Sequence, residues 1–151
     1  MRPRHLARVT ALQTLFEVDL VGHAPEKVLA YLTEEDDLSE AVVAFARKLV
    51  QGVLDHRSAL DAIIARVAPN WPVEQLPGVD RNVLRMAIYE MLSDNETPVK
   101  VIINEAVELA KTFGSESSRR FVNGVLGTVA AQSADLTAKY FQHETASTTQ
   151  S

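Results

Sequence analysis

Apolar residues recur every three or four positions along almost the whole chain, and that period confines it to packed helices. From His5 to Leu20 the stripe is Val9, Leu12, Leu15, Phe16 and Leu20, the spacing of residues that share one side of an α-helix. Gly22 ends this stretch. Pro25 opens a second helix, to about Leu32, from the first helical position, where its missing N–H is not needed. Ser39 caps a third through Val42, Val43, Phe45, Ala46, Leu49, Val50 and Val53. A fourth runs from about His56, with Leu60, Ile63, Ile64 and Val67 inward, and stops before Pro69. Three prolines between Pro69 and Pro77 forbid a helix there. This stretch is the expected boundary between two halves, and Trp71 is expected to plug the junction as buried apolar area, with stacking on a ligand as the alternative.

In the second half, Asp80 reads as the cap of a helix with Leu84, Ala87, Ile88, Met91 and Leu92 inward. Thr97-Pro98 caps and opens the next, which uses Ile102, Ile103, Ala106, Val107, Leu109, Ala110 and Phe113 before the stop at Gly114. Ser115 starts the last core helix, with Phe121, Val122, Val125, Leu126 and Val129 inward. The fold class is all-α, about seven helices. The division expected is one domain over 1–133, with subdomains of about 1–70 and 71–133, and a polar, partly disordered tail over 134–151. Asp135 to His143 has the pattern of one more short helix, and residues 145–151 read as disordered.

Composition removes several function classes. With no cysteine, disulfides, thiolate nucleophiles and cysteine zinc sites are excluded. The four histidines lack metal-ligand spacing, so no metal is expected. No glycine-rich phosphate loop occurs, since Gly124 and Gly127 are two glycines inside a helical pattern. Asp55, His56 and Asp61 do not converge as an acid–base set, because neighbouring residues on a helix point about 100° apart. The expectation is a non-catalytic protein without a cofactor. No apolar run approaches the roughly 20 residues of a membrane span, and the start lacks a continuous apolar segment, which makes the cytoplasm the default compartment.

The net charge of −5 and pI of about 5.3 conceal a partition. Residues 1–16 carry three arginines and no acid, while residues 17–46 carry eight acids against Lys27 alone. Two basic patches fall where helices begin: Arg2, Arg4, His5 and Arg8, then Arg119-Arg120 behind Ser115, Ser117 and Ser118. The positive end of a helix dipole repels cations, whereas its free N–H groups bind phosphate readily. Both patches make sense if an anion completes them, which points to nucleic acid. The acidic run Glu34–Asp37 reads as a solvated loop. Arg85, close to an apolar stripe, needs a buried partner, expected to be Glu105 or Glu90, and Asn104 and Asn123 lie near core positions.

Three blocks then carry a resemblance. Arg85-Met-Ala-Ile-Tyr-Glu90, Ile103-Asn-Glu-Ala-Val-Glu-Leu-Ala-Lys111 with Phe113-Gly114, and Phe121-Val-Asn-Gly-Val-Leu126 resemble the NusB family, as does the stretch from Arg4 to Phe16. The likeness extends over about Arg2 to Val129. It implies two packed helical bundles and a transcription antitermination factor that binds boxA-type single-stranded RNA with NusE, a small-subunit ribosomal protein. It also implies work at the RNA polymerase elongation complex during ribosomal RNA synthesis. The same module begins a ribosomal RNA cytosine methyltransferase, but 151 residues leave no room for a catalytic domain.

Carried over by position, the resemblance implies RNA contacts at Arg2, Arg4, His5, Arg8, Ser117, Arg119, Arg120 and Phe121. His5 and Leu6 stand where more basic members carry arginine. It implies a NusE-facing surface at Phe16, where many relatives have tyrosine, and at Asp80. The alternatives are a helical adaptor that binds protein without RNA, and a homodimer that occludes the phosphate-facing helix.

Overall fold

A computed structural model describes residues 2–93 and 96–141. They form α1 (Pro3–Val21), α2 (Pro25–Glu35), α3 (Glu40–Asp55), α4 (Arg57–Val67), a single 3₁₀ turn (Val73–Gln75), α5 (Gly78–Ser93), α6 (Val99–Phe113), α7 (Ser118–Ala131) and α8 (Ser133–Tyr140). No strand occurs among the described residues. The fold class is as expected, with one helix more than the expected seven. That helix is α8, which buries Leu136 completely and leads to a buried Phe141 stacked 5.2 Å from the His56 ring. Residues 134–141 are therefore packed structure, while the expected disordered end lies outside the described residues.

Local signals set most boundaries. The Val42 amide donates to Ser39 Oγ at 3.3 Å, the side-chain cap expected there. Gly22 closes α1 with φ of 84°, a left-handed conformation that favours glycine. Asp80 is no cap. Helix α5 begins two residues earlier, and the Arg81 amide already donates to the Pro77 carbonyl at 3.0 Å. Asn104 and Asn123 are exposed rather than near the core.

Helix α5 is the centre of the molecule. It packs against α1, α3, α4, α6, α7 and α8, and from Asp80 to Leu92 every residue except Tyr89 is buried. A helix covered on all sides must find a partner for each polar group it carries, because a buried unpaired group costs free energy. Helix α1 runs antiparallel beside it and supplies most of them. At one end Arg8 of α1 meets Glu90. At the other, Asp19 of α1 meets Arg81 and Arg85.

Two expectations are corrected here. Arg85 pairs with Asp61 of α4, at 2.8 and 2.9 Å, and not with Glu105 or Glu90. Arg81 and Arg85 lie one turn apart on the side of α5 that faces α4 and the end of α1, whereas Glu90 faces the start of α1. Trp71 does not plug the junction. It is 57% exposed, and Val73 and Leu76 fill the joint instead. The Arg81 guanidinium satisfies the linker carbonyls of Val73, Glu74 and Leu76, so the joint is closed by small aliphatics and one cation.

Candidate nucleic-acid interface

The start of α1 gathers its cations, but not all on the surface. Arg8 is buried, and its Nε and Nη2 donate to the two Glu90 oxygens, each at 2.9 Å. Burial alone would pull this guanidinium down; the Glu90 hydrogen bonds and charge outweigh it and hold its pKa above the ordinary value. Arg8 is therefore an internal ion pair, placed beneath the face on which phosphate contact was expected. Arg2 is exposed and reaches Glu105 at 2.9 Å and Glu108 at 3.5 Å. His5 is half-buried, with Nδ1 2.8 Å from Glu105 Oε2. Arg4 is exposed and lies 3.8 Å from the centre of the Phe45 ring of α3, a cation–π contact.

His5, Glu105 and Glu108 bring ligand atoms within 4.8 Å of one another, enough to hold a metal ion. Sequence spacing hides this trio, because His5 and Glu105 stand 100 positions apart. Arg2 already neutralises both carboxylates, so a divalent cation would have to displace a guanidinium.

The start of α7 is built differently. Gly114 lies so close to Ala110 and Ser118 that an added Cβ would stand 2.8 Å from the Ala110 carbonyl oxygen. This tight approach turns the chain from α6 into α7. Ser118 is fully buried, and its Oγ accepts from the Ser115 amide at 3.0 Å. It is spent on the turn, whereas Ser115 and Ser117 are exposed, their hydroxyls 3.2 Å apart. Arg119 and Arg120 are exposed, and neither has a hydrogen-bond or ion-pair partner among the described residues. Arg119 lines a recess of about 390 Å³ with Lys111, Gly114, Ser115 and Glu116. Phe121 is half-buried and meets Trp71 at 6.1 Å.

Helix α6 joins the two starts. Glu108, which receives Arg2, and Lys111, which shares the recess with Arg119, are three residues apart on the exposed side of α6. Side chains at that spacing are neighbours. The basic starts of α1 and α7 thus border one stripe of α6.

A second surface lies beyond Arg119. Leu12, Phe16, Val21, Leu32, Val79 and Phe113 line an apolar groove of about 480 Å³, with Gln13 and Glu17 at its edge. Phe16 is 37% exposed, and Leu20, Val21 and Phe113 also show apolar surface. The acidic run Glu34–Asp37 is exposed and begins two residues after Leu32. Asp80 does not line this groove. Its neighbour Val79 lines the wall, while Asp80 is buried and its Oδ1 has no hydrogen-bond partner. No pattern in the sequence marked the groove, because it forms between α1, α2, α5 and α6.

Unpaired cations beside a helix start, with an acid-rimmed apolar groove nearby, define a small helical binding module. The family model described as the NusB family matches residues 5–131. The chain belongs to the NusB family. It is 56% identical over 128 residues to the transcription antitermination protein NusB of Chloroflexus aggregans, covering 83% of this chain and 85% of that one. The fold is similar to that of T. maritima NusB, with a TM-score of 0.81 and 34% identity over 87% of this chain and 92% of that one. It is also similar to a chain in the crystal structure of antitermination factors NusB and NusE in complex with dsRNA, with a TM-score of 0.78 and 30% identity over 85% and 96% of the two chains.

Proposed function

We infer that this protein is a transcription antitermination factor that binds boxA-type single-stranded RNA together with NusE and acts at the RNA polymerase elongation complex in the cytoplasm. The observation that carries the RNA half is the pair Arg119 and Arg120, exposed at a helix start and without partners among the described residues. Two free cations on a chain of net charge −5 are best explained by an anion supplied from outside. Arg2 and His5 extend this face along α6, Arg4 lies against Phe45 of α3 at its margin, and Ser117 adds a hydroxyl donor. Arg8 supports the face from below through Glu90 and makes no contact of its own.

The protein half rests on the groove. Its acidic rim suits a basic partner, and Phe16 with Phe113 supplies the anchor. Few cations are free, so RNA affinity of the chain alone is modest, and the partner supplies the rest. The chemistry is binding, not turnover.

Two measurements test this reading. Arg119→Ala and Arg120→Ala each weaken RNA binding by the chain with NusE and lower its salt dependence by about 0.7 in log–log slope. Thermal stability stays unchanged, because neither side chain has a partner among the described residues. If both variants bind RNA as the parent does, the protein is an adaptor without RNA contact. Phe16→Ala weakens NusE binding in a pull-down titration at least several-fold and leaves RNA binding by the chain alone intact. Sedimentation of the free chain that returns a dimer dissociated by RNA would place the interface between copies instead.

A further inference from the structure

Trp71 is the sole tryptophan of the chain, and it stands in solvent. An indole is the largest apolar surface available, and the nearby Val73 and Leu76 are buried where Trp71 is not. Its position is fixed, since the Trp71 amide donates to the Ala68 carbonyl at 3.1 Å and Pro72 follows. The ring meets Phe121 at 71°, edge to face. An edge-on contact covers at most one ring face and leaves another open.

The position of the pair on α7 gives it a use. Successive residues turn by about 100° on a helix, and buried Ser118, Val122, Val125 and Val129 mark the side facing the core. Arg120 then points directly outward, with Arg119 on one flank and Phe121 on the other. A strand crossing this turn from the recess of Lys111 and Arg119 passes Arg120 and arrives at Phe121 and Trp71. Phosphates are held by guanidinium groups, and unstacked bases need a flat apolar face. The order along the surface is cations, then aromatic rings.

We propose that Trp71 and Phe121 form a base-stacking subsite for single-stranded RNA that continues the cationic path of Arg119 and Arg120 onto the linker between α4 and α5. It rests on the RNA-binding reading above. The linker thereby contacts the ligand directly, and a nucleobase occupies the open indole face.

The test labels this chain with 5-fluorotryptophan, which gives one ¹⁹F resonance, and leaves NusE unlabelled. The probes are a boxA-type RNA and an abasic sugar-phosphate oligomer of equal length. The RNA moves the resonance and the abasic oligomer does not. Trp71→Ala weakens RNA affinity by about tenfold, within the range of one lost base stack, and Trp71→Phe restores most of it at unchanged Tm. RNA that binds without moving the resonance, with Trp71→Ala at parental affinity, overturns the subsite and leaves the RNA reading standing. An equal shift from the abasic oligomer overturns base stacking. A shift caused by NusE without RNA assigns Trp71 to the protein interface and overturns the proposal as well. No binding of RNA in any form sinks both readings.

Discussion

Arg8→Ala lowers the unfolding free energy by about 3–5 kcal/mol, because it strands the Glu90 carboxylate inside the protein without a partner. Glu90 is buried and has Arg8 on both of its oxygens, and the other charged group beside Arg8, Glu105 at 3.9 Å, is an acid that cannot take its place. Against a typical total of about 5–15 kcal/mol this is a large share. Glu90→Ala has the same sign and a similar size, leaving the guanidinium unpaired. The double variant Arg8→Met/Glu90→Met removes both charges and recovers much of the loss, since replacing a whole buried pair with apolar side chains is often neutral. Urea unfolding of the four proteins ranks their stabilities and checks this order. An Arg8→Ala protein with parental stability and lost RNA binding would return Arg8 to the RNA face. The ordering matters for reading any RNA assay: a loss seen with Arg8→Ala reports on folding, whereas one seen with Arg119→Ala reports on contact.

The contrast between these two arginines shows what was legible in the sequence. Both stand near a helix start in a basic patch, and local pattern treats them alike. Periodicity along one element separates neither, because burial of Arg8 depends on where α5 lies and on the single acid that it presents there. The helices themselves were readable, since each carries its own apolar stripe and its own stop, as with Ser39 and Gly22. Helix α5 was the hard case. It is covered on every side, so its apolar stripe is only part of the buried surface, and the partners of Arg81 and Arg85 come from α1 and α4, more than twenty residues away. Trp71 was misplaced for a related reason. Bulk and apolarity argue for burial on average, but the linker backbone needed hydrogen-bond donors at the joint, and Arg81 took the space. The groove around Phe16 is built by four helices and has no trace in any one of them. By contrast, the cations of α7 were visible at once, because none of the described residues claims them.

Arg81→Ala is expected to loosen the linker between α4 and α5, at a cost of about 3–5 kcal/mol. One guanidinium binds Asp19 through Nε at 2.9 Å and Nη2 at 2.8 Å, while Nη1 reaches the carbonyls of Val73, Glu74 and Leu76 at 3.2, 3.3 and 3.0 Å. Removing it unpairs several acceptors together. Arg81→Lys does not rescue, since an ammonium group lacks the planar fork that faces a carboxylate and carbonyls at once. Amide exchange in the linker should speed up before the rest of the molecule does. Asp19 supplies a second readout of the same network. Burial alone would raise its carboxyl, but hydrogen bonds from Arg81 and Asn82, with the charges of Arg81 and Arg85, hold it below the ordinary range. A folded value below the unfolded one stabilises the protein above the unfolded pKa of about 3.9. That contribution is lost as pH falls through the folded value. The parent should therefore lose stability below about pH 4, and Asp19→Asn, weaker at neutral pH, should show a flatter fall over the same window. Parallel curves for the two proteins would mean that the carboxylate of Asp19 is not what ties α1 to the linker, and the joint would then depend on Val73 and Leu76 alone.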